Sequence, residues 1–241
     1  MSDTLYIVMP AYNEQENIGQ VVAEWHPICE RLSAEGHDAR LLIANDGSRD
    51  GTLAKLLELQ ASHPFLTPVD KPNSGHGATL MLLYRRAVTE GATYVFQTDS
   101  DGQTRPEEFW EMWERRADFE LQIGTRDARQ DGFSRVVVTK VLRVVVWLMF
   151  HVWVKDANTP FRLMRAETLS ALLEIIPEDY NLTNVAVAAI ATRRRCLIRW
   201  QPITFRARQG GVNSINLRRI CGIGAKALSD FWQINRKLDK E

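Results

Sequence analysis

The sequence predicts an α/β fold with a mostly parallel central sheet flanked by helices. Apolar runs of strand length alternate with amphipathic segments through the first half of the chain. Polar, glycine-bearing clusters follow those runs, where the ligand loops of such sheets lie. The length of 241 residues, with 45% hydrophobic and 25% charged residues, is enough for a substantial core without disulfides or structural metals.

Leu5–Met9 is continuously apolar and reads as the first strand. The N-terminal MSDTLYIVMP has no basic region followed by an apolar core, so strand rather than secretory leader is expected there. Glu14–Leu32 has apolar residues at helical spacing, and Ala39–Ala44 reads as the second strand. Leu53–Gln60 is helical, Phe65–Val69 the third strand, Gly77–Thr89 a helix and Ala92–Thr98 the fourth strand. Pro106–Arg116 follows as a helix and Glu120–Gly124 as a short strand.

The run Val136–Val154 has the length and apolarity of a membrane span. Lys140, Arg143, His151 and Lys155, however, fall on one stripe at about 100° per residue, which a lipid-spanning helix does not carry without a facing partner or cavity. The expectation is an amphipathic helix that lies on a membrane or walls the cleft, with a core helix having one wet side as the rival. In the tail, Leu217, Ile220, Ala227, Phe231, Ile234 and Leu238 recur at helical spacing and predict an amphipathic C-terminal helix. No internal repeat, low-complexity tract or linker divides the chain.

Thirty basic and thirty acidic residues give zero net charge, so nothing points to nucleic acid as a partner. Arginine thickens from Arg126 onward, through Arg193–Arg195, Arg199, Arg206 and Arg208 to Arg218 and Arg219, which suits phosphate-bearing ligands or an anionic membrane surface. Cys29, Cys196 and Cys221 are odd in number and lack metal-ligand spacing; this predicts a reducing compartment, with neither a disulfide framework nor a zinc site.

The chemistry centres on Asp99-Ser100-Asp101-Gly102-Gln103, directly after a β-rich run. Two carboxylates at a strand end suit one Mg²⁺ or Mn²⁺, which favour oxygen ligands and bridge protein carboxylates to phosphates. A helix-capping box from Thr104 to Glu107 is the structural alternative. An EF-hand is excluded because its sixth and twelfth positions are Thr104 and Trp110. Asn45-Asp46-Gly47-Ser48 and Pro10-Ala11-Tyr12-Asn13-Glu14 fit either turns and caps, through Asn13, Asp50 or Thr52, or contacts to a nucleoside by Tyr12, Glu14 and Asp46. Gly75-His76-Gly77 fails as a dinucleotide fingerprint: Leu80 stands where the third glycine belongs, and no strand directly precedes it.

In this order, the segments Pro10–Glu14, Asn45–Thr52, Asn73-x-Gly75-x-Gly77, Asp99-x-Asp101-x-Gln103-x-x-Pro106, Gly124-Thr-Arg126, Asp156 with Phe161-Arg162-Leu163, and Arg208-Gln-Gly-Gly211 with Ser214 resemble inverting glycosyltransferase family 2. The branch most similar is that of the dolichol- and polyprenyl-phosphate sugar transferases. The resemblance implies a GT-A fold in one domain over residues 1–241. Residues 1–125 would form the nucleotide-sugar half, 126–214 the acceptor half and 215–241 the C-terminal helix.

It further implies a UDP- or GDP-sugar donor, with Asp46 recognising the base and Pro10, Tyr12 and Glu14 nearby. Asp99, Asp101 and Gln103 would surround the metal, and Arg126, Arg135 and Arg208 would meet phosphates of donor or acceptor. A sugar-hydroxyl acceptor needs a carboxylate to take its proton, and Asp179 is the candidate, with a turn or cap role as its rival. A lipid phosphate is already anionic and needs only placement.

Arg208–Ser214 departs from the Gly-x-Ser-Lys ending usual in the lipid-phosphate branch, and the long hydrophobic C-terminal anchor of many relatives is missing. Membrane contact is therefore expected to be peripheral, at the cytoplasmic face. A polyprenyl-phosphate acceptor is the first expectation and a glycan hydroxyl the second. A sugar nucleotidyltransferase lacks support because Ala11–Glu14 is no triphosphate loop, and a non-catalytic nucleotide-sugar binder would hold the same ligands without turnover.

Overall fold

Leu5, Ile7 and Met9 alternate with Tyr6 and Val8 along the first strand, and every one of them is buried. The first set packs with Leu41, Ile43 and the helix residues Val21, Val22, Trp25 and Leu32. The second packs with Leu42, Leu80, Leu83 and Tyr84. A period of two with both faces apolar means a strand covered by helices on both sides, and that is the architecture seen in the computed structural model, which describes residues 2–126, 143–178, 180–206 and 230–239.

The described strands are β1 (Thr4–Ala11), β2 (Asp38–Asp46), β3 (Leu66–Lys71), β4 (Tyr94–Gln97), β5 (Leu121–Arg126), β6 (Arg162–Arg165) and β7 (Ile198–Ile203). They form one sheet in the order β3-β2-β1-β4-β6-β5-β7. β1, β2, β3 and β4 run parallel, and β6 runs against both β4 and β5. β5 and β7 are parallel to each other. All strands except β6 therefore end at the same edge of the sheet. The predicted α/β fold with a mostly parallel sheet is what the chain adopts. The two outer strands carry prolines, Pro68 in β3 and Pro202 in β7, as expected where a missing N–H breaks no inner ladder.

The helices are α1 (Ile18–Ala34), α2 (Thr52–Gln60), α3 (His76–Thr89), α4 (Phe109–Glu114), α5 (residues 143–150), α6 (Ala166–Leu173), α7 (Thr183–Arg193) and α8 (residues 230–238). α1 begins four residues later than its apolar spacing predicts. Asn13 takes a left-handed φ of 55°, and Glu14 first forms a turn whose carbonyl accepts from Asn17 and Ile18. The Pro106–Arg116 helix resolves into a 3₁₀ turn at Pro106–Glu108 followed by α4.

Within the predicted Val136–Val154 helix, residues 143–150 are helical and His151 ends the helix at φ 54°; residues 136–142 lie outside the described part. Of the predicted tail helix, Phe231 and Ile234 are fully buried and Leu238 packs on the same core, while 215–229 lie outside the described residues. Among the described residues no helix is long and apolar enough to cross a membrane.

Candidate functional site

From β1 the chain moves outward through β2 to β3, then crosses back to β4 on the other side of β1. Loops leaving β1 and β4 therefore diverge, opening a crevice at the carboxyl ends of the strands. The Pro10–Glu14 loop and the Asp99–Gln103 loop stand on its two sides. The Ser100 hydroxyl donates to the Pro10 carbonyl at 2.8 Å, fixing one loop to the other. Gly102, at φ 70°, reverses the chain after Asp101. The Gln103 N–H donates to Asp101 Oδ1 at 3.1 Å.

Thr104 does not cap the following helix. Its hydroxyl is buried against that of Thr98 at 2.7 Å, and the helix start has no side-chain cap, so the capping-box alternative for this segment fails. The side chain of Asp99 is 28% exposed and meets His76 Nε2 at 3.2 Å. Asp101 is half-buried. Among the described residues no three His, Cys, Asp or Glu side chains close into a self-sufficient metal cage. Two hard carboxylates on one side of an open crevice do fit Mg²⁺ or Mn²⁺, which take their remaining positions from substrate phosphates and water.

Gln103 is tied to the next segment: its Nε2 donates to the Arg206 carbonyl at 3.1 Å, and the Arg206 N–H returns to the Gln103 carbonyl at 2.7 Å. Arg206 is held in turn by both carboxylate oxygens of Glu24, at 2.7 and 2.8 Å. The segment that continues to Arg208 thus starts beside the Asp99–Gln103 loop.

At the end of β2, Asp46 is buried and fully engaged. Its carboxylate accepts from Lys71 Nζ and from the N–H groups of Ser74 at 2.8 Å and Gly75 at 2.9 Å. Burial alone raises such a carboxyl, but Lys71 and these donors outweigh it and hold Asp46 below the usual carboxylate range. A depressed folded value means that the stabilisation is complete at neutral pH. It is lost as the pH falls from the usual carboxylate range through that depressed value. Lys71→Met leaves the carboxylate buried without its cation. We expect a loss of about 3–5 kcal/mol at neutral pH that narrows as the pH falls below about 4, read from melting curves at the two conditions; an equal loss at both rules out the pair as the cause.

Of the remaining nucleoside-side candidates, Tyr12 is exposed at the crevice mouth while Pro10 is buried in β1. Glu14 is buried, with its carboxylate accepting from Asn17 Nδ2 at 2.6 Å. Asn13 Oδ1 accepts from the Arg49 N–H at 2.8 Å instead of capping α1, and Asp50 Oδ1 accepts the Thr52 N–H at 3.0 Å at the start of α2.

The 180–183 turn is built against the first turn of α3. An added Cβ on Gly77 would lie 2.3 Å from the Asn181 carbonyl oxygen and 2.4 Å from that of Tyr180, and the Thr183 hydroxyl donates to the Gly77 carbonyl at 2.9 Å. Only glycine lets the 180–183 turn close on this helix start. Gly77→Ala forces backbone apart, and an overpacking cost of roughly 1–3 kcal/mol is expected, checked by thermal unfolding; a melting temperature equal to that of the wild type refutes the close approach.

Behind the crevice, Arg162 of β6 lies opposite Gln97 of β4 and is completely buried. Its fork donates to the carbonyls of Thr159 at 2.7 Å, Asn184 at 2.6 Å and Ala157 at 2.7 Å. Burial lowers its pKa to about 10, still charged at neutral pH, with Tyr84, Asp156 and Asp99 as the opposing influences. One cation thereby ties the loop after α5 and the first turn of α7 to the strand beside Asp99.

Sequence reasoning did not single out Lys71, His76 or Arg162 for these roles. His76 sits between two glycines at a strand-to-helix junction, and that position was its available signal. Its ring is half exposed yet hemmed in by protein; burial works against its charge, but Asp99, Asp46 and Asp101 together raise its pKa above the ordinary value. Arg126 ends β5 opposite Ile203, at the same sheet edge as the Asp99 loop. Its side chain, and all of Arg135, Asp179 and Arg208, lie outside the described residues.

With this geometry in place, the likenesses to known proteins are informative. The family described as "Glycosyl transferase family 2" matches residues 6–173. Polyprenol monophosphomannose synthase of Mycolicibacterium smegmatis is 26% identical over 243 residues, covering 97% of this chain and 88% of that protein. Undecaprenyl-phosphate 4-deoxy-4-formamido-L-arabinose transferase of Pseudomonas fluorescens is 29% identical over 171 residues, covering 69% of this chain and 48% of its own length, so the chain spans about half of that relative. Among solved structures, glucosyl-3-phosphoglycerate synthase from Mycobacterium tuberculosis, crystallised with Mn²⁺, UDP and phosphoglyceric acid, matches with a TM-score of 0.70 at 16% identity over 97% of this chain and 78% of that one. The match shows a shared fold.

Proposed function

This chain belongs to glycosyl transferase family 2 and is a glycosyltransferase, and from that premise we propose that it transfers a sugar, with inversion, from a UDP- or GDP-sugar to a polyprenyl phosphate at a membrane surface. The observation that carries the acceptor is the near full-length similarity to a relative whose name specifies a polyprenol phosphate product. The reading assigns residues 1–125 to the donor, 126–214 to the acceptor and 215–241 to the C-terminal helix.

Asp99, Asp101 and the side-chain oxygen of Gln103 would surround Mg²⁺ or Mn²⁺, while Gln103 Nε2 ties their loop to the Arg206 carbonyl. Such a cation supplies Lewis-acid stabilisation of the negative charge on the departing diphosphate. A phosphate oxygen of the acceptor forms the new bond to the anomeric carbon as the bond to the diphosphate breaks, and the electron pair leaves with the nucleotide. Arg126, Arg135 and Arg208 are assigned to the phosphates, where guanidinium forks match the oxygens. Asp46 is assigned to the nucleotide base, with Pro10, Tyr12 and Glu14 nearby, and its carboxylate also holds the 71–75 segment.

An anionic phosphate needs no general base. A sugar hydroxyl does; the neighbouring carboxylate Glu178 is exposed and paired with Arg85. Asp179 remains the base that such an acceptor would require.

The deciding experiment measures nucleotide release and labelled-sugar transfer with a short-chain prenyl phosphate, the matching prenol and a soluble glycan. Transfer to the phosphate alone is expected. Equal turnover of the prenol or the glycan, particularly if Asp179→Asn abolishes it, replaces this reading with a hydroxyl-acceptor transferase. Nucleotide and Mn²⁺ binding without any transfer marks a non-catalytic binder.

A further inference from the structure

Helix α5 is apolar on two sides. Val146 and Phe150, four residues apart, are buried in the core. Val144, Trp147 and Leu148, at spacings of three and four residues, form a second face that is about half exposed, and Trp153 just beyond the helix is 63% exposed. A water-facing helix side normally carries polar residues. A contiguous apolar patch left open instead marks a contact surface.

The patch has a charge signature as well. Residues 143–155 contain Arg143, His151 and Lys155 and no carboxylate, although the chain as a whole is balanced between acids and bases. The Arg143 guanidinium donates to the Lys155 carbonyl, so the two cationic residues sit together at one end of the patch. α8 packs against α5 through Phe231 and Phe150, ring centroids 5.1 Å apart. It exposes Trp232 with the Arg236 guanidinium 4.7 Å from the ring centroid.

We infer that the outer face of α5, with Trp153, is a membrane-docking surface that enters the headgroup and upper acyl region of an anionic bilayer. Tryptophan is favoured at that boundary because its indole is apolar in body and polar at its N–H. Arg143 and Lys155 complement anionic headgroups, with Asp156 following Lys155 at the border of the patch. The surface is also continuous with the acceptor wall. Val154 returns to the core, Ala157 and Thr159 are clamped by Arg162, and the same cation holds Asn184 beside the turn that closes on α3. The inference rests on the lipid-acceptor reading for its biological sense and deepens it by naming the residues that bring the crevice to the lipid.

The test uses the full chain with vesicles of phosphatidylcholine alone or mixed with phosphatidylglycerol, some carrying brominated acyl chains. Flotation with the anionic vesicles, a blue shift of tryptophan emission and quenching by the bromines are expected. In Trp147→Ser/Leu148→Ser/Trp153→Ser, partitioning should fall at least about tenfold and the quenching should largely vanish. Melting temperature and turnover of a water-soluble prenyl phosphate should stay at wild-type values.

Unchanged vesicle binding by the triple variant overturns the surface. So does a wild type that stays in solution, including one whose dimer the variant converts to monomer, which makes the face a protein interface. The two readings fail separately. A wild type that ignores vesicles yet glycosylates a short prenyl phosphate removes the docking surface alone. One that docks through these residues but transfers nothing to a prenyl phosphate removes the acceptor assignment alone.

Discussion

An Asp99→Ala enzyme is expected to lose about two to three orders of magnitude in kcat, corresponding to roughly 3–4 kcal/mol of transition-state stabilisation. Its fold should be nearly unaffected, because the side chain is partly exposed and its one described hydrogen-bonding contact is with the half-exposed His76. Binding supplies a second readout. A ligand held only by the native state raises the melting temperature, so UDP or GDP with Mn²⁺ should stabilise the wild type more than either alone.

Asp99→Ala should keep only the metal-independent part of that shift. Asp101→Ala is less clean, since Asp101 Oδ1 also accepts the Gln103 N–H. Asp101→Asn retains an acceptor for that bond while removing the charge, and it is expected to behave like Asp99→Ala. If both carboxylates are removed and the metal-dependent shift persists in full, the metal lies elsewhere and the assignment of this loop fails.

The largest loss of stability away from the crevice is expected at Arg162. Methionine there keeps much of the side-chain volume and removes the donors to three buried carbonyls, Ala157, Thr159 and Asn184. An unsatisfied buried polar group costs about 1–3 kcal/mol. Relief from burying an unneutralised charge offsets part of the sum, leaving a net loss of about 3 kcal/mol. For a chain of this size that lowers the melting temperature by about 6–12 °C.

Lysine in the same place keeps the charge but loses the planar fork, so Arg162→Lys should also be destabilised, with its compact ammonium unable to reach all three acceptors. A methionine variant that melts with the wild type means that the clamp does not hold these segments together.

The contrast between Asp99 and Arg162 shows what was legible in the sequence. β1 to β5 and the helices between them announce themselves through apolar runs broken by polar turns. Asp99 and Asp101 are visible because they follow such a run directly. β6 gives no such signal: it is Arg-Leu-Met-Arg, four residues with an arginine at each end, and Arg162 is accommodated in a central strand by the carbonyls of Ala157, Thr159 and Asn184. β7, Ile-Arg-Trp-Gln-Pro-Ile, hides behind its proline.

His76 meets Asp99 23 residues away, Lys71 meets Asp46 25 residues away and Arg162 reaches Asn184 22 residues away, distances that no local spacing encodes. The Val136–Val154 run reads as an amphipathic helix or a core helix with one wet side, but its described part stops at His151 and is apolar both inward and outward. A periodicity argument expects one wet side, and a helix lying between a core and a second apolar medium has none.

The two prolines of the sheet's rims have a consequence for how copies of this protein behave when crowded. An open strand edge is a template on which a neighbouring chain can lay down its own backbone. Here an incoming strand meets a residue with no N–H to offer at Pro68 on one rim and at Pro202 on the other. Lateral zipping is interrupted on both sides. High local concentration should therefore leave the sheet unextended, and self-association, where it occurs, has to use side-chain surfaces instead of backbone pairing.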